Sequence, residues 1–218
     1  MKIISLINSK GGVGKTTLSV SLAAYFKNQN KKVLLVDADP QGSLRDWKDA
    51  GGECNDFELT IADRKQVLFQ LPKLIKKSGY DFVIIDTIGK MGDLMGTSIA
   101  VSDVVLIPVQ PSPYDIWALQ DVMELINLRK TINPNLLAYI VINSAMPKTL
   151  MSKYSIQDLK TSEMPMLESI IQQRVVYSQS ACDGKSIYDF KNEDAKEEFN
   201  KLGEEVLKNI HEHESNQG

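Results

Sequence analysis

The chain has 218 residues, of which 43% are hydrophobic and 24% charged, values typical of a soluble globular protein with a sizeable core. Lysine and arginine together number 25 and aspartate and glutamate 28, which excludes a globally basic nucleic-acid binder of the histone type. Two cysteines are too few for a disulfide framework. No apolar run approaches the roughly 20 residues of a membrane span, and the first apolar segment is too short for a signal peptide. We therefore expect a cytoplasmic protein.

Short β-branched runs alternate with segments of helical periodicity along the chain. Nearly continuous apolar runs predict strands that are covered on both faces, at residues 3–7, 33–36, 82–85, 104–107 and 139–142. The helical spacing of apolar residues predicts helices at 16–29, 64–78, 93–101, 114–130, 149–162 and 194–210. This alternation favours an α/β fold with a doubly wound, mostly parallel sheet. We expect a single domain over residues 1–218, with the polar residues 211–218 frayed.

A glycine-rich segment follows the first predicted strand and precedes a predicted helix. Residues 10–17 read Lys-Gly-Gly-Val-Gly-Lys-Thr-Thr. Glycines allow the backbone N–H groups to turn around phosphate oxygens, and the start of the helix adds its positive dipole end. Lys15 can reach the β- and γ-phosphates, Thr16 can supply a hydroxyl to Mg²⁺, and Thr17 can hydrogen-bond a phosphate. The predicted nucleotide-binding residues of this loop are Gly11, Gly12, Val13, Gly14, Lys15, Thr16 and Thr17.

A second lysine, Lys10, stands immediately before these glycines. With it the segment is the deviant Walker A pattern, and the sequence resembles the ParA/MinD family of P-loop ATPases. The resemblance implies ATP and Mg²⁺ as cofactors and an ATP-dependent homodimer in which Lys10 reaches the phosphates bound by the partner. A cation supplied in this way would compensate the charge that develops during phosphoryl transfer, as an arginine finger does.

Acidic residues end two of the predicted strands, where ligands of parallel sheets bind. The resemblance implies that Asp39 orients or activates the attacking water and that Asp37 supports the metal. It also implies that Lys10 and Lys15 are catalytic residues. A simple Asx-type turn is the alternative explanation of this first acidic segment. Asp86 ends the second of these strands, and an acid at that point suits Mg²⁺ held together with Thr16. Residues 86–89 read Asp-Thr-Ile-Gly, where the family often has Asp-Thr-Pro-Pro.

Prolines follow the strand predicted at 104–107 and favour a rigid, extended loop. The resemblance implies that Pro111 and Pro113 frame the adenine and that Asn143, after the next strand, reads the edge of the base. An ordinary loop is the alternative for each of these residues. Nothing local distinguishes ATP from GTP.

The resemblance covers nearly the whole chain and extends to short plasmid-partition ATPases of the ParF type through residues 173–177, Gly184 and Tyr188. It implies a partition ATPase that binds DNA non-specifically as a dimer, associates with the nucleoid, and segregates a plasmid or other cargo through a small ParB- or ParG-like adaptor. Because the chain starts directly at the strand before the phosphate loop, we expect no N-terminal helix-turn-helix domain. Arg174 is the side chain predicted to contact DNA, since a guanidinium donates two parallel hydrogen bonds to a phosphate.

Two other functions are compatible with the phosphate loop. A MinD-like membrane-positioning ATPase should end in a basic amphipathic helix, whereas residues 193–218 contain far more acidic than lysine residues and would be repelled by anionic lipid. We therefore expect no membrane partner. A small-molecule ligase of the dethiobiotin synthetase type would bind ATP without any dependence on DNA.

Overall fold

A computed structural model describes residues 1–146, 157, 159 and 162–216, without the side chains of residues 54 and 113–118. The helix predicted at 149–162 lies almost entirely outside the described residues.

Seven strands form one sheet in the described part of the chain. They are β1 (Lys2–Leu6), β2 (Val33–Ala38), β3 (Glu58–Ile61), β4 (Phe82–Thr87), β5 (Val104–Val109), β6 (Leu137–Ala145) and β7 (Met166–Gln172). Their order across the sheet is β3-β2-β4-β1-β5-β6-β7, and all neighbouring strands are parallel. The predicted doubly wound, parallel sheet is therefore confirmed.

Helices cover both faces of this sheet. They are α1 (Lys15–Asn28), α2 (Ser43–Gly51), α3 (Lys65–Ile75), α4 (Asp93–Val101), α5 (Pro113–Ile132), α6 (Val175–Cys182) and α7 (Glu193–Ser215), with 3₁₀ turns at Gly52–Cys54 and Ile187–Asp189. One core packs α1, α2, α6 and α7 against alternate strand residues, and the intervening residues pack against α3, α4 and α5. Within the described ranges, no helix combines the length and the apolar character needed to cross a membrane.

The five predicted strands are all present, but β3 and β7 are not predicted by the sequence. Both lie at the edges of the sheet, where one side of the strand has no neighbour among the described residues. Their sequences are interrupted by polar residues such as Glu58 and Glu168, so neither forms a continuous apolar run. The short helices α2 and α6 are also missed, because they have only 9 and 8 residues and each buries only two of them.

Helix α7 covers the edge strand β7 through a carboxylate. The Glu205 side chain accepts hydrogen bonds from the backbone N–H groups of Glu168, at 2.7 Å, and Ser169, at 2.9 Å. These donors would otherwise be unpaired at the sheet edge, so the contact both satisfies them and blocks further strand pairing.

The C-terminal helix is longer than expected. Residues 211–215 continue α7 and do not form a frayed tail, which corrects the prediction for residues 211–218 as far as they are described. The Lys2 ammonium pairs with Glu214 at 2.7 Å, and the side chain of Ile210 is buried in the core. Both contacts tie the end of this helix to the sheet, which composition alone does not reveal.

Gly203 permits the close approach of α7 to α1. A Cβ atom on Gly203 would lie 2.1 Å from Cδ1 of Tyr25. We expect Gly203→Ala to lower the free energy of unfolding by about 1–3 kcal/mol, because the Tyr25 ring and the helix must move apart.

Gly96→Ala, in α4, is the matched control, since a Cβ atom there meets nothing within 4 Å. It should be neutral or stabilising by up to about 1 kcal/mol through helix propensity. Urea unfolding of both variants is the measurement, and equal stability of the two would contradict the packing described for Gly203.

Candidate active site

The phosphate loop connects β1 to α1 at the carboxyl end of the sheet. β1 is the central strand, between β4 and β5, so the loop lies beside the ends of both neighbours. Gly14 adopts a left-handed conformation with φ 89° at the N-cap of α1, and Gly12 does so with φ 76°. The helix therefore starts at Lys15 with the loop's backbone turned around its N-terminus, the arrangement that binds anions.

Amide side chains from neighbouring strand ends hold this loop in place. The Asn8 side-chain oxygen accepts a hydrogen bond from the Lys10 backbone N–H at 2.8 Å. The Gln110 amide donates to the Gly12 carbonyl at 3.2 Å. Neither amide was predicted as a site residue. The one feature of the sequence that could have indicated them is a polar residue directly after a predicted buried strand.

Asn143 packs against the loop from the end of β6. Its amide nitrogen donates to the Val13 carbonyl at 2.7 Å, and the residue is 6% exposed. A Cβ atom on Gly14 would lie 2.2 Å from that nitrogen, so only glycine fits at this position. The Asn143 amide, predicted to hydrogen-bond the edge of a base, thus donates to the phosphate loop. Contact between Asn143 and a base stays a prediction.

Lys15 is buried at the start of α1 and is 8% exposed. Its ammonium donates to the Lys10 carbonyl at 3.0 Å. Burial lowers the pKa of the Lys15 ammonium, and the carboxylates of Asp86 and Asp39 act in the opposite direction. The chain therefore holds a poorly hydrated cation at the mouth of the loop, where a phosphate would gain most from it.

Thr16 and Asp86 form the second polar pair of the site. The Thr16 hydroxyl donates to the Asp86 carboxylate at 2.6 Å. Burial raises the pKa of Asp86 to about 7, against the effects of the Thr16 hydrogen bond and the Lys15 charge. A hydroxyl and a buried carboxylate are oxygen ligands that suit Mg²⁺ in phosphate sites, and a divalent cation would stabilise the ionised carboxylate. The residues present therefore fit the metal.

Asp37 has a different environment from Asp86, although the two are register partners in β2 and β4. One Asp37 oxygen accepts from the Asp39 backbone N–H at 3.0 Å, and the other accepts from the Arg45 Nε at 3.1 Å. Burial raises the pKa of Asp37, and these hydrogen bonds oppose the shift. Because both oxygens are engaged, these contacts fix the turn that carries Asp39, and the support of a metal by Asp37 stays a prediction.

A cavity of about 540 Å³ lies in front of the loop. Lys15, Thr16 and Asp39 all line it, so the structure brings together a cation, a hydroxyl and a carboxylate predicted to act on phosphate. A second cavity of about 760 Å³ lies beside Asn143. Gly12, Gly14 and Thr17 line both cavities, so an elongated ligand can extend from one to the other across the loop.

The segment after β4 closes the phosphate cavity on the opposite side. A Cβ atom on Gly89 would lie 3.1 Å from both the Gly11 backbone nitrogen and the Lys15 Nζ atom. The glycine that replaces a family proline therefore allows close approach to the loop. The next residue, Lys90, also lines the cavity in front of the phosphate loop, and it was not predicted as a site residue.

Arg174 lies at the N-cap of α6 and lines the cavity beside Asn143. Its guanidinium donates to the Glu198 carboxylate at 2.6 Å and pairs with Asp194 at 3.4 Å. Its charge is therefore compensated within the chain, which does not favour the predicted DNA contact. Pro111 is not among the described residues lining this cavity, and the side chain of Pro113 lies outside the description, so base framing by both stays a prediction.

The sequence profile of the CobQ/CobB/MinD/ParA nucleotide binding domain matches residues 4–187. The chain belongs to this family. It is 31% identical over 209 residues to the "Maintenance of carboxysome distribution protein A" of Halothiobacillus neapolitanus, covering 94% of this chain and 95% of that protein. It is 29% identical to the sporulation initiation inhibitor protein Soj of Bacillus subtilis, covering 95% and 99%.

A solved structure shares the fold at lower identity. The septum site-determining protein MinD of Pyrococcus horikoshii OT3, complexed with Mg-ADP, superposes with a TM-score of 0.72 at 24% identity. The match covers 94% of this chain and 95% of that one. The predicted P-loop fold and the membership of the ParA/MinD family are thus confirmed, whereas the resemblance to the ParF type stays a prediction.

Replacing the buried lysine tests the phosphate site. We expect Lys15→Ala to weaken ATP binding by about 100-fold or more, because charge-assisted hydrogen bonds to phosphate are lost. Calorimetric titration with ATP and Mg²⁺ measures this, with Lys31→Ala, an exposed lysine between α1 and β2, as the matched control. Equal affinities of the two variants would exclude Lys15 from the site.

Proposed function

We propose that this chain is a ParA-type positioning ATPase, which binds ATP with Mg²⁺, dimerises around the nucleotide and hydrolyses it. The observation that carries the proposal is the shared cavity of Lys15, Thr16 and Asp39 beside the buried Asp86. A fold that only binds nucleotide needs the loop and its lysine, whereas hydrolysis also needs a group that positions water.

Each of these residues has a distinct task in the proposed reaction. Lys15 and the loop N–H groups hold the phosphates, and Thr16 with Asp86 would hold Mg²⁺, which neutralises phosphate charge when bound. Asp39 is fixed by the hydrogen bond from its backbone N–H to Asp37, and its side chain accepts from the Gln41 backbone N–H at 2.9 Å. One Asp39 oxygen is thereby oriented, and the carboxylate can position a water beside the terminal phosphate.

Lys10 supports a dimer as the active species. The residue is exposed, whereas its own carbonyl faces inward and accepts from Lys15. An exposed lysine beside the loop suits contact with phosphates bound by a second copy of the chain, where it would add positive charge in trans. Hydrolysis would then be coupled to assembly and disassembly of the dimer.

We propose that the ATP-bound dimer binds duplex DNA without sequence preference and recruits a small cargo-bound adaptor. Segregation of a plasmid is the cargo role implied by the ParF-like resemblance. The relative from Halothiobacillus neapolitanus is named for carboxysome distribution, so positioning of a protein compartment is the second candidate cargo role. Deletion of the gene followed by imaging of plasmids and compartments in the same cells distinguishes the two.

The role of Lys10 separates dimerisation from binding. Lys10→Ala should keep ATP affinity within a few fold but lose ATP-dependent dimers and hydrolysis, since the charge in trans is removed. Light scattering with ATP and a phosphate-release assay measure both effects. Lys185→Ala, an exposed lysine elsewhere, is the control, and a Lys10→Ala protein that dimerises and hydrolyses as that control does would contradict the trans role.

The role of Asp39 is tested by a variant that should trap the dimer. Asp39→Ala should retain ATP binding and slow hydrolysis by about 10²–10⁴-fold, because no carboxylate positions the water. The ATP-bound dimer should then accumulate in light scattering. Asp49→Ala, an exposed acid in α2, is the control, and normal turnover by Asp39→Ala would reduce Asp39 to a turn residue.

A further inference from the structure

The basic residues of the chain are unevenly distributed. Residues 64–80 contain five basic and no acidic residues, although the whole chain has a net charge of −3. These five are Arg64, Lys65, Lys73, Lys76 and Lys77. This segment comprises α3 and the turn that follows it, and it therefore carries a local positive potential on an acidic protein.

The last three of these lysines form an exposed cluster at the C-terminal end of α3. Helix α3 buries Leu68 and Leu71 against the sheet. Lys73, Lys76 and Lys77 are all exposed, and we name them the α3 lysine cluster. Their outward position means that no core contact explains them.

The charges of the cluster are not compensated within the described part of the chain. The Lys65 ammonium pairs with Asp93 at 3.0 Å, whereas none of the three cluster lysines lies within 4 Å of a described carboxylate oxygen. Arg174 offers the opposite case, because two carboxylates neutralise it. A polyanion therefore gains more from the α3 lysine cluster than from Arg174.

The exposed apolar residues of α3 indicate which polyanion fits. Phe69 is 67% exposed and Leu74 is 68% exposed. Val67, 40% exposed, lies about 20° around the helix from Leu74, whereas Phe69 lies about 140° from Leu74, so the three do not share one continuous apolar face. An interfacial membrane helix needs such a face, and here Leu68 and Leu71 of the helix are already buried in the core. The cluster suits the phosphates of a nucleic acid better than a lipid surface.

We propose that the α3 lysine cluster, with Phe69 at its edge, is the surface that holds duplex DNA by its phosphates. This inference rests on the proposed function, in which the ATP-bound protein binds DNA, and it names the surface responsible. Lysine ammonium groups contact phosphate as point charges and read no base edges, so binding is independent of sequence.

The test reverses the charge of the cluster. The triple variant Lys73→Glu, Lys76→Glu, Lys77→Glu should weaken binding of two unrelated duplexes equally, by at least about 10-fold in the presence of ATP. If each lysine contacts one phosphate, the slope of log affinity against log salt should flatten by about 3 per subunit. ATP affinity should not change, because no substituted residue lines either nucleotide cavity.

The matched control is Lys31→Glu, Lys185→Glu, Lys191→Glu, which makes the same change in net charge at exposed lysines. Two of these positions, Lys185 and Lys191, lie in the C-terminal part of the chain, as does Arg174, the residue predicted from the sequence to contact DNA. Retained binding by the control and loss by the α3 variant support the proposal. An equal loss of DNA affinity in both variants would show an effect of net charge only. A loss of DNA affinity in the control alone would place the DNA surface elsewhere. Either result would overturn the proposal.

A neutral variant guards against loss of folding. Lysines in the last turn of a helix also interact with its dipole, so Lys73→Gln, Lys76→Gln, Lys77→Gln is compared with the unmodified protein by thermal unfolding. It should unfold at a similar temperature and still lose most DNA affinity. Normal DNA binding by this variant overturns the assigned surface and leaves the proposed function intact.

Two further measurements distinguish DNA from a membrane as the partner of the cluster. Absence of ATP-dependent DNA binding overturns both the DNA step of the proposed function and this surface. Retention on vesicles that contain a third anionic phospholipid, lost in the α3 variant while DNA binding is kept, assigns the cluster to a membrane and overturns the DNA surface alone.

Discussion

The buried ammonium of Lys15 is the group around which the site is arranged. It lies at the start of α1, donates to the Lys10 carbonyl and is influenced by the carboxylates of Asp86 and Asp39. Burial makes this cation unfavourable in the absence of an anion, and the surrounding acids offset part of that cost. An anion bound at the loop would therefore stabilise this buried cation further.

The segment after β4 lies close to this cation. Gly89 approaches both Gly11 and Lys15, so the segment after β4 is in contact with the phosphate loop. The next helix, α4, starts shortly after that segment and is joined to α3 by the ion pair between Asp93 and Lys65. This ion pair joins α4 to the N-terminal end of α3, whereas the α3 lysine cluster lies at the C-terminal end of that helix.

The central features of the fold could be predicted from the sequence because they depend on local patterns. The strands with continuous apolar runs are buried on both faces. The glycines of residues 10–17 indicate the loop directly, because they permit its left-handed backbone conformations. The edge strands β3 and β7 could not be predicted in this way, because their pairing and covering come from distant contacts such as that of Glu205. The length of α7 was missed for the same reason.

The site was predicted where a motif supplies the residue and missed where tertiary contacts do. Lys15, Thr16 and Asp39 follow from their positions in motifs, whereas Gln110 contacts the loop from the end of a strand distant in sequence. The Asn8 amide is likewise held by a distant group, the Pro108 carbonyl. The pairing of Arg174 with Glu198 joins residues on different helices, so an argument from residue type alone overestimates its free charge.

The central claim is that nucleotide controls association of two copies through one cavity. The most direct measurement is the molar mass of the unmodified protein in solution, by size-exclusion chromatography with light scattering. With Mg²⁺ and a slowly hydrolysed ATP analogue, the mass should double from the 24.3 kDa of one chain, and ADP should restore the monomer. The same mass in both nucleotides would contradict the account.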